Sequence, residues 1–521
     1  MANEVELKLS FRPVDLVSIE AHPLVRQAKP HGVAEVLEST YFDTPELKLH
    51  AAKVAIRTRK TGKGLLQTIK CAAASVGGLS CRPEWEQPYD GGFDFSGIEA
   101  IAVRDMLESL RGDLLPVFMT VFHRQTRLAE PRAGVRILIM IDSGHVITGA
   151  DKAPISEVEL ELVEGSARDL QDFAIELASD LALLPFDQSK AERGYLLFAE
   201  QALRPLKAGK ISLDPAQKPL AAFGVLATRE QACWQANLHG ALSSDNPEFV
   251  HQYRVALRRL GTLLRIFKPL LPKSFVKHWT GEFKRVAGVT GEIRDLDVMH
   301  KEILLPMACS ESDDAGTVMV RRALQRCTED HDKAEAALGG LFDGVPLLRF
   351  VRDLDSLTDK KGPDRIQAFA EARVARLHLK AVKRFAEVVK APTPEAAHRF
   401  RIALKHLRYA CEFFANLFDE GHMTQYAKDI AALQDELGFL NDLHVALRRL
   451  DQWCQADTSM QAVRDHVVAW HAGRADKKLT VALAQAESLL GQCLPWCGEC
   501  DRRSLGSVRK RLRQGVTLKM V

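Results

Sequence analysis

No stretch of the 521 residues approaches eighteen consecutive apolar side chains, so no helix is expected to cross a membrane. The opening Met1-Ala2-Asn3-Glu4-Val5-Glu6 has no basic region followed by an apolar run, and no secretory leader is expected there. The 10 cysteines are scattered over a long chain, which suits a reducing cytoplasm and argues against a disulfide scaffold. Cys493-x-x-x-Cys497-x-x-Cys500 lacks the second spaced pair of a zinc or iron–sulfur site and is read as no metal centre. A glycine loop ending in Lys-Ser/Thr and a Gly-x-Ser-x-Gly elbow are both missing, which leaves P-loop and serine-hydrolase chemistry without support.

What is present is the composition of a folded protein, 46% hydrophobic and 27% charged, in a chain too long for one ordinary core. The net charge of +3 is unevenly spread. Residues 1–210 hold 25 basic and 30 acidic side chains, and the remainder hold 46 and 38. A basic second half points to an anionic partner. The basic segment Arg502–Arg513 is read as a solvated final helix, and nucleic acid is not expected as a partner.

Residues 1–203 read mostly as strands. Glu4–Leu9, Val54–Arg59 and Glu157–Leu162 alternate in period two, with turn-like breaks at 61–64, 76–78 and 149–152. Helices are expected near Ile98–Leu110 and at Ala167–Leu184. Residues 204–220 carry Pro, Gly and Lys and read as a linker. From 221 to 515 the period is 3.6 throughout, so this part is all helix. It also repeats. His251-x-x-Arg254-x-Ala-Leu-Arg258 matches His398-x-x-Arg401-x-Ala-Leu-Lys405, and Gly291-x-x-x-Asp295-Leu296 matches Gly438-x-x-x-Asp442-Leu443, both at an offset of 147. Two matches at one offset predict a duplicated helical bundle, with copies over 221–390 and 391–515.

The strand charges occupy the side that usually holds a core. Glu4, Glu6 and Lys8 share one face, as do Arg57 and Arg59, Glu84 and Glu86, and Glu157, Glu159 and Glu161. Any one such strand reads better as a solvated surface. Several together predict a barrel whose inward faces bring carboxylates opposite cations. Arg and Lys suit phosphate oxygens, while carboxylates hold hard cations that bridge to them.

These residues resemble the CYTH family. The match opens on Glu4-x-Glu6-x-Lys8 and continues through Tyr41-Phe42-Asp43-Thr44, Arg57-x-Arg59, Lys70 and Arg82-x-Glu84-x-Glu86. Phe122-His123-Arg124, Asp142-x-Gly144, Glu157-x-Glu159-x-Glu161 and Ser189-Lys190-x-x-Arg193-Gly194-Tyr195 follow in order. The resemblance implies a tunnel-like antiparallel β-barrel that hydrolyses triphosphates with Mg²⁺ or Mn²⁺. It implies Glu4, Glu6, Glu157, Glu159 and Glu161 as metal ligands, with the choice among the last three open. Glu4, Glu6 and Lys8 would act in catalysis. Lys8, Arg57, Arg59, Lys70, Glu84, Glu86, Arg124, Lys190 and Arg193 would form the substrate site. Arg127, three positions after Arg124, cannot share its strand face.

In the second half, His251, Arg254, Arg258 and Arg265 fall within about 60° on a wheel of about 100° per residue, opposite Tyr253, Leu257, Leu260, Leu264 and Phe267. His398, Arg401, Lys405 and Arg408 repeat the stripe. Two facing stripes would make a basic groove. The repeat resembles the CHAD family, which implies binding of long-chain polyphosphate through His251, Arg254, Arg258, His398, Arg401 and Lys405, and association with polyphosphate granules. The whole chain is thus expected to be a multi-domain α+β protein, cytoplasmic, that splits inorganic tripolyphosphate into pyrophosphate and phosphate. An adenylate cyclase acting on ATP, or a non-catalytic polyphosphate scaffold, are the alternatives.

Overall fold

The computed structural model describes residues 4–62, 64–71, 75–82, 84–310, 315–336, 343–358 and 363–492. Cys493, Cys497, Cys500 and the basic segment 502–513 lie outside them. The chain divides into two units: Met1–Pro205 with Gly340–Leu357, and Leu206–Gly339 with Thr358–Val521. No helix among the described residues is long and apolar enough to cross a membrane.

The first unit is built on β1 (Glu4–Ser10), β2 (Lys29–Pro30), β3 (Glu35–Asp43), β4 (Val54–Thr61), β5 (Gly64–Cys71), β6 (Ser75–Val76), β7 (Leu79–Arg82), β8 (Glu84–Pro88), β9 (Leu115–Arg132), β10 (Val135–Thr148), β11 (Asp151–Glu164) and β12 (Leu184–Pro185). Its helices are α1 (Leu16–Ala21), α2 (Pro23–Gln27), α3 (Lys48–Ala51), α4 (Ile101–Leu110), α5 (Ala167–Asp180) and α6 (Lys190–Phe198). All strands join one antiparallel sheet in the order β6-β7-β1-β11-β10-β9-β3-β4-β5-β8, with β12 on β1 and β2 on β9. β7 and β8 are neighbours in the chain yet lie near opposite ends of that order. The sheet therefore curls into a half-barrel whose flanks are joined by the chain, not by a ladder.

The strand alternation explains how this sheet buries both faces. Along β11, Val158 and Leu160 join Leu7, Leu9, Ile137, Ile139 and the α5 residues Leu170, Phe173 and Leu177 in an outer apolar core. Glu157 and Glu159, on the opposite face, are buried too. α5 starts at a capping box in which Ser166 and Asp169 satisfy each other, as its first-turn acid predicts, and it ends at Asp180, four residues short of the expected Leu184. α4 starts at Ile101 and packs Leu107 on Val54, Ile56 and Ile69.

The second unit is helical: α7 (Pro219–Ser243), α8 (Pro247–Phe267), α9 (Lys273–Val289), α10 (Gly291–Val298), α11 (Leu305–Ala308) and α12 (Ala315–Ala336), with a π-helical turn at Met299–Leu304. α13 (Val345–Asp355) lies in the segment that groups with the sheet, and α14 (Ile366–Lys390), α15 (Pro394–Phe413), α16 (Glu420–Ala456) and α17 (Met460–Leu490) complete the unit. The periodicity puts residues 343–357 in the helical half; the structure groups them with the first unit.

The 147-residue repeat is visible in geometry. A side chain added at Gly291 would meet Arg254 Nη1 at 3.7 Å, and one added at Gly438 would meet Arg401 Nη2 at 3.9 Å. Each glycine thus stands beside the arginine of its own copy, at ordinary contact distance. The first copy breaks its helix at Thr290, whereas the second runs unbroken through Gly438. The stretch before α7 is irregular but pinned within its unit: Asn237 bonds the backbone of Leu206 and Asn416 that of Leu213.

Candidate active site

The curl of the sheet encloses a cavity of about 530 Å³. Lining it are Glu6 and Lys8 from β1, Arg57 and Arg59 from β4, Lys70 from β5, Glu84 from β8, Arg124 from β9, Glu159 and Glu161 from β11, and Lys190 from α6. Ten of the sequence-predicted residues therefore share one space. The Glu4 side chain lies outside the described residues. Glu86, Glu157 and Arg193 do not line the cavity. Glu86 is exposed and accepts from Thr68 Oγ1 at 3.3 Å. Arg193 is turned to Glu157 Oε2 at 2.6 Å and to the Pro154 carbonyl at 3.1 Å. Arg127 bonds Gln125 and the Ala28 carbonyl instead of lining the cavity.

One end of the site is a closed ionic network. Arg124 forks onto Asp142 at 2.7 and 2.6 Å and also contacts Glu159. The Lys190 ammonium lies 2.8 Å from Asp142 and 2.9 Å from Glu159, and contacts Glu157. Burial opposes the charge on Lys190, but the three carboxylates outweigh it and its pKa is raised. The same balance raises Arg124 and holds Glu159 well below the usual carboxylate range. Asp142, fully buried, completes this network, although sequence reasoning assigned it no role. Its signal was the lone acid in Ile-Met-Ile-Asp142, placed opposite Arg124 in the β9–β10 ladder.

The remaining charges are less balanced. Glu6 and Glu161 are direct partners in the β1–β11 ladder, where like charges repel. Burial and then Glu6 raise the Glu161 pKa. On the facing wall, burial and then Arg57 and Arg124 push Arg59 down to about 10. Arg57 donates to the Tyr41 hydroxyl at 3.4 Å, and its buried Nε has no acceptor among the described residues. Lys70 pairs with Glu84 at 2.7 Å, while Lys8 is lowered by burial despite Glu157, Glu6 and Glu159.

Other motif residues hold the frame. Asp43 accepts from the backbone amides of Thr44, Leu49 and His50 and from the Tyr195 hydroxyl at 2.8 Å, tying β3 and α3 to α6. At Gly144 a side chain would strike the backbone of Val121 and Phe122, and at Gly194 the Phe118 ring. α6 can carry Lys190 into the cavity because that glycine lets it sit flat on Phe118.

In the second unit the two basic stripes are drawn together. Arg258 bears electrostatically on both Arg401 and Lys405, although it belongs to the other copy. Burial, then Arg258, Arg401 and Arg408, brings Lys405 down to about 7. Arg254, Arg258 and Arg401 each bury an Nε without a hydrogen-bond acceptor among the described residues, whereas Arg408 Nε lies 3.5 Å from Glu412 Oε1. His251 is held near 4 by burial and Arg294, so it is neutral at physiological pH. His398 is exposed and bonds Asn441 at 2.8 Å.

The family model described as CYTH domain matches residues 2–195, and that described as CHAD domain matches residues 226–451. A curated relative, the inorganic triphosphatase of Haemophilus influenzae, is 31% identical over 203 residues, 39% of this chain and 57% of the relative. The chain thus spans little more than half the length of that relative. Among solved structures, the CHAD domain of the plant Ricinus communis aligns at 27% identity and a TM-score of 0.46, covering 56% of this chain and 98% of that one. A Hippeastrum protein, named as an adenylyl cyclase candidate with a dominant triphosphatase activity, aligns at 14% identity and a TM-score of 0.28 over 38% of this chain and 97% of its own. The chain joins a CYTH domain to a CHAD domain.

Proposed function

We propose that the first unit hydrolyses inorganic tripolyphosphate to pyrophosphate and phosphate with Mg²⁺ or Mn²⁺, and that the helical unit binds long-chain polyphosphate. One observation carries the hydrolase reading: a single cavity holds two self-repelling clusters of opposite sign, Glu6 with Glu161 and Arg57 with Arg59. A metal–polyphosphate complex relieves both at once. Its cation suits the carboxylates and its oxygens suit the guanidinium groups.

Glu6 and Glu161 fit a hard cation by their shared strand register and the raised Glu161 pKa. Glu157 is spent on Lys190 and Arg193, so Glu161 has the stronger claim of those two. The bound metal would lower the pKa of an attacking water and offset charge at the phosphorus. Arg57 and Arg59 grip the linear anion from β4, with Lys70 beside them on β5. Lys8, close to Glu6 and Glu159, would offset phosphate charge beside the carboxylates that would hold the metal. Lys190 and Arg124 act as struts that fix Asp142 and Glu159, because their charge is already matched. On this reading the chain works in the cytoplasm beside polyphosphate granules, which imaging of the tagged full chain tests.

The test is a substrate panel of tripolyphosphate, longer polyphosphate, ATP and thiamine triphosphate, each with Mg²⁺ and with Mn²⁺. Phosphate release from tripolyphosphate that disappears with EDTA and returns with metal is the expected result. Cyclic AMP from ATP would favour a cyclase, and silence on all substrates with either metal would favour a scaffold.

A further inference from the structure

The geometry points to α13 as a positioning helix for the reaction centre: from the face opposite the cavity it clamps the backbone on both sides of Lys8. In sequence this helix belongs to the helical half, far downstream of the sheet, yet it packs as part of the sheet unit.

Three contacts bracket Lys8. Leu348, 2% exposed, shares a core with Leu7 and Leu9, the two neighbours of Lys8 that alternation turns away from the cavity. On one flank, Gly344 lies so close to Leu183 and Pro185 that a side chain there would meet the Leu183 carbonyl. That stretch leads through β12 into Phe186, whose amide donates to the Lys8 carbonyl at 2.9 Å. On the other flank, Val351 presses the turn of the β6–β7 hairpin. A side chain at Gly77 would stand 2.7 Å from Val351 Cγ2.

The hairpin delivers that pressure to Lys8. Gly77 and Gly78 both have positive φ, as a tight two-residue turn requires. The Gly78 carbonyl accepts the Lys8 amide at 2.9 Å, and a side chain at Gly78 would strike the Lys8 carbonyl. Asp187 locks the arrangement, accepting from Ser75 Oγ at 2.6 Å and from the Gly78 amide at 2.8 Å. The C-terminal end of α13 is anchored on α5, Arg352 on Asp172 at 2.9 Å and Asp355 accepting from Gln171 at 3.0 Å. Without α13 the hairpin and β12 lose their common backing, and the Lys8 peptide is free to shift. Catalysis is sensitive to displacements of that size, on the order of 1 Å.

The test uses the full chain and reads two quantities, tripolyphosphate kinetics and hydrogen exchange. In Leu348→Ala and Val351→Ala, kcat is expected to fall about tenfold with KM within about twofold, because the grip of Arg57 and Arg59 sits on β4. Exchange should rise in peptides holding Lys8 and Gly78 while β9 and β10 stay protected. Leu348→Met should restore both. Gly77→Asn, which keeps a turn-compatible residue but crowds Val351, should impair turnover and regain it in combination with Val351→Ala. Exchange rising evenly over the sheet would overturn the clamp, as would unchanged kcat and exchange in both alanine variants. Only the kinetic arm rests on the tripolyphosphate reading. Local loss of protection in a protein that hydrolyses nothing would count against that reading and not against the clamp.

Discussion

Lys190 is buried and Lys405 half-buried, and their pKa values move in opposite directions. Burial alone lowers a lysine. Lys190 overcomes it because Asp142, Glu157 and Glu159 surround the ammonium, whereas Lys405, facing Arg258, Arg401 and Arg408, is left at about 7. The two units thus treat positive charge differently. In the sheet, cations are interleaved with carboxylates, and part of the charge is consumed in holding the wall rigid. In the helical unit the stripes face each other, and Asp295 and Asp442 offset only part of the charge on Arg254 and Arg401, whose pKa values stay lowered. An arrangement of the first kind suits a metal-bound anion at a reaction centre, and one of the second kind suits capture of a long anion without chemistry.

The sharpest way to break this comparison is to remove an acid from the sheet and cations from the helices. Glu161→Gln in the full chain should lower metal-dependent phosphate release from tripolyphosphate by roughly 10²–10³, the range expected when one charge-stabilising group is lost. Long-chain polyphosphate should still bind, as read by calorimetry. Arg254→Ala with Arg401→Ala should weaken that binding by tenfold or more, on the order of 1.4 kcal/mol. If the arginine pair cost as much turnover as Glu161→Gln, the clusters would serve one reaction and the contrast would fail.

A smaller effect sharpens the same contrast through pH. The Lys405 pKa is lowered in the free protein, and a bound polyanion raises it, so binding takes up a proton. That contribution is present in full below pH 7 and is lost as pH rises. The protonated fraction of a group near 7 falls about tenfold between pH 6 and pH 8, and affinity should fall with it. The terminal phosphates of the ligand titrate in this range as well, so the decisive quantity is the difference from Lys405→Met, whose profile should be flatter. Equal slopes would mean that Lys405 does not face the anion.

Much of this was legible in the amino-acid sequence because two of its periods are strict. Alternation at Glu4–Leu9 and Glu157–Leu162 tells which side chains share a face, and curling the sheet brings those faces together. Arg193, expected to grip phosphate, does not line the cavity, since a helix places its residues by contacts that spacing does not specify. Its guanidinium found Glu157 first. Asp142 was passed over since one acid in an apolar strand has no periodicity to mark it. The location of α13 was illegible for a related reason. An amphipathic pattern predicts that Leu347, Leu348 and Val351 are buried, but not which surface buries them.

The smallest expected effect concerns the glycines that seat the paired arginines. Gly438 is inside the 37-residue α16, where glycine costs about 0.8–1 kcal/mol relative to alanine. Its added Cβ would stand 3.9 Å from Arg401 Nη2, an ordinary contact. Gly438→Ala should therefore stabilise the helical transition by up to about 1 kcal/mol, seen as a higher midpoint in thermal unfolding followed by circular dichroism. Polyphosphate affinity should stay close to wild type. Gly291→Ala, at the first position of α10, should gain less because helix propensity matters least at an end. A larger side chain at Gly438 should reverse the sign, since it would displace Arg401 from its stripe. If alanine already lowered the midpoint, the arginine seat would be tighter than 3.9 Å suggests, and the glycine would be there for the cation's position and not for the helix's convenience.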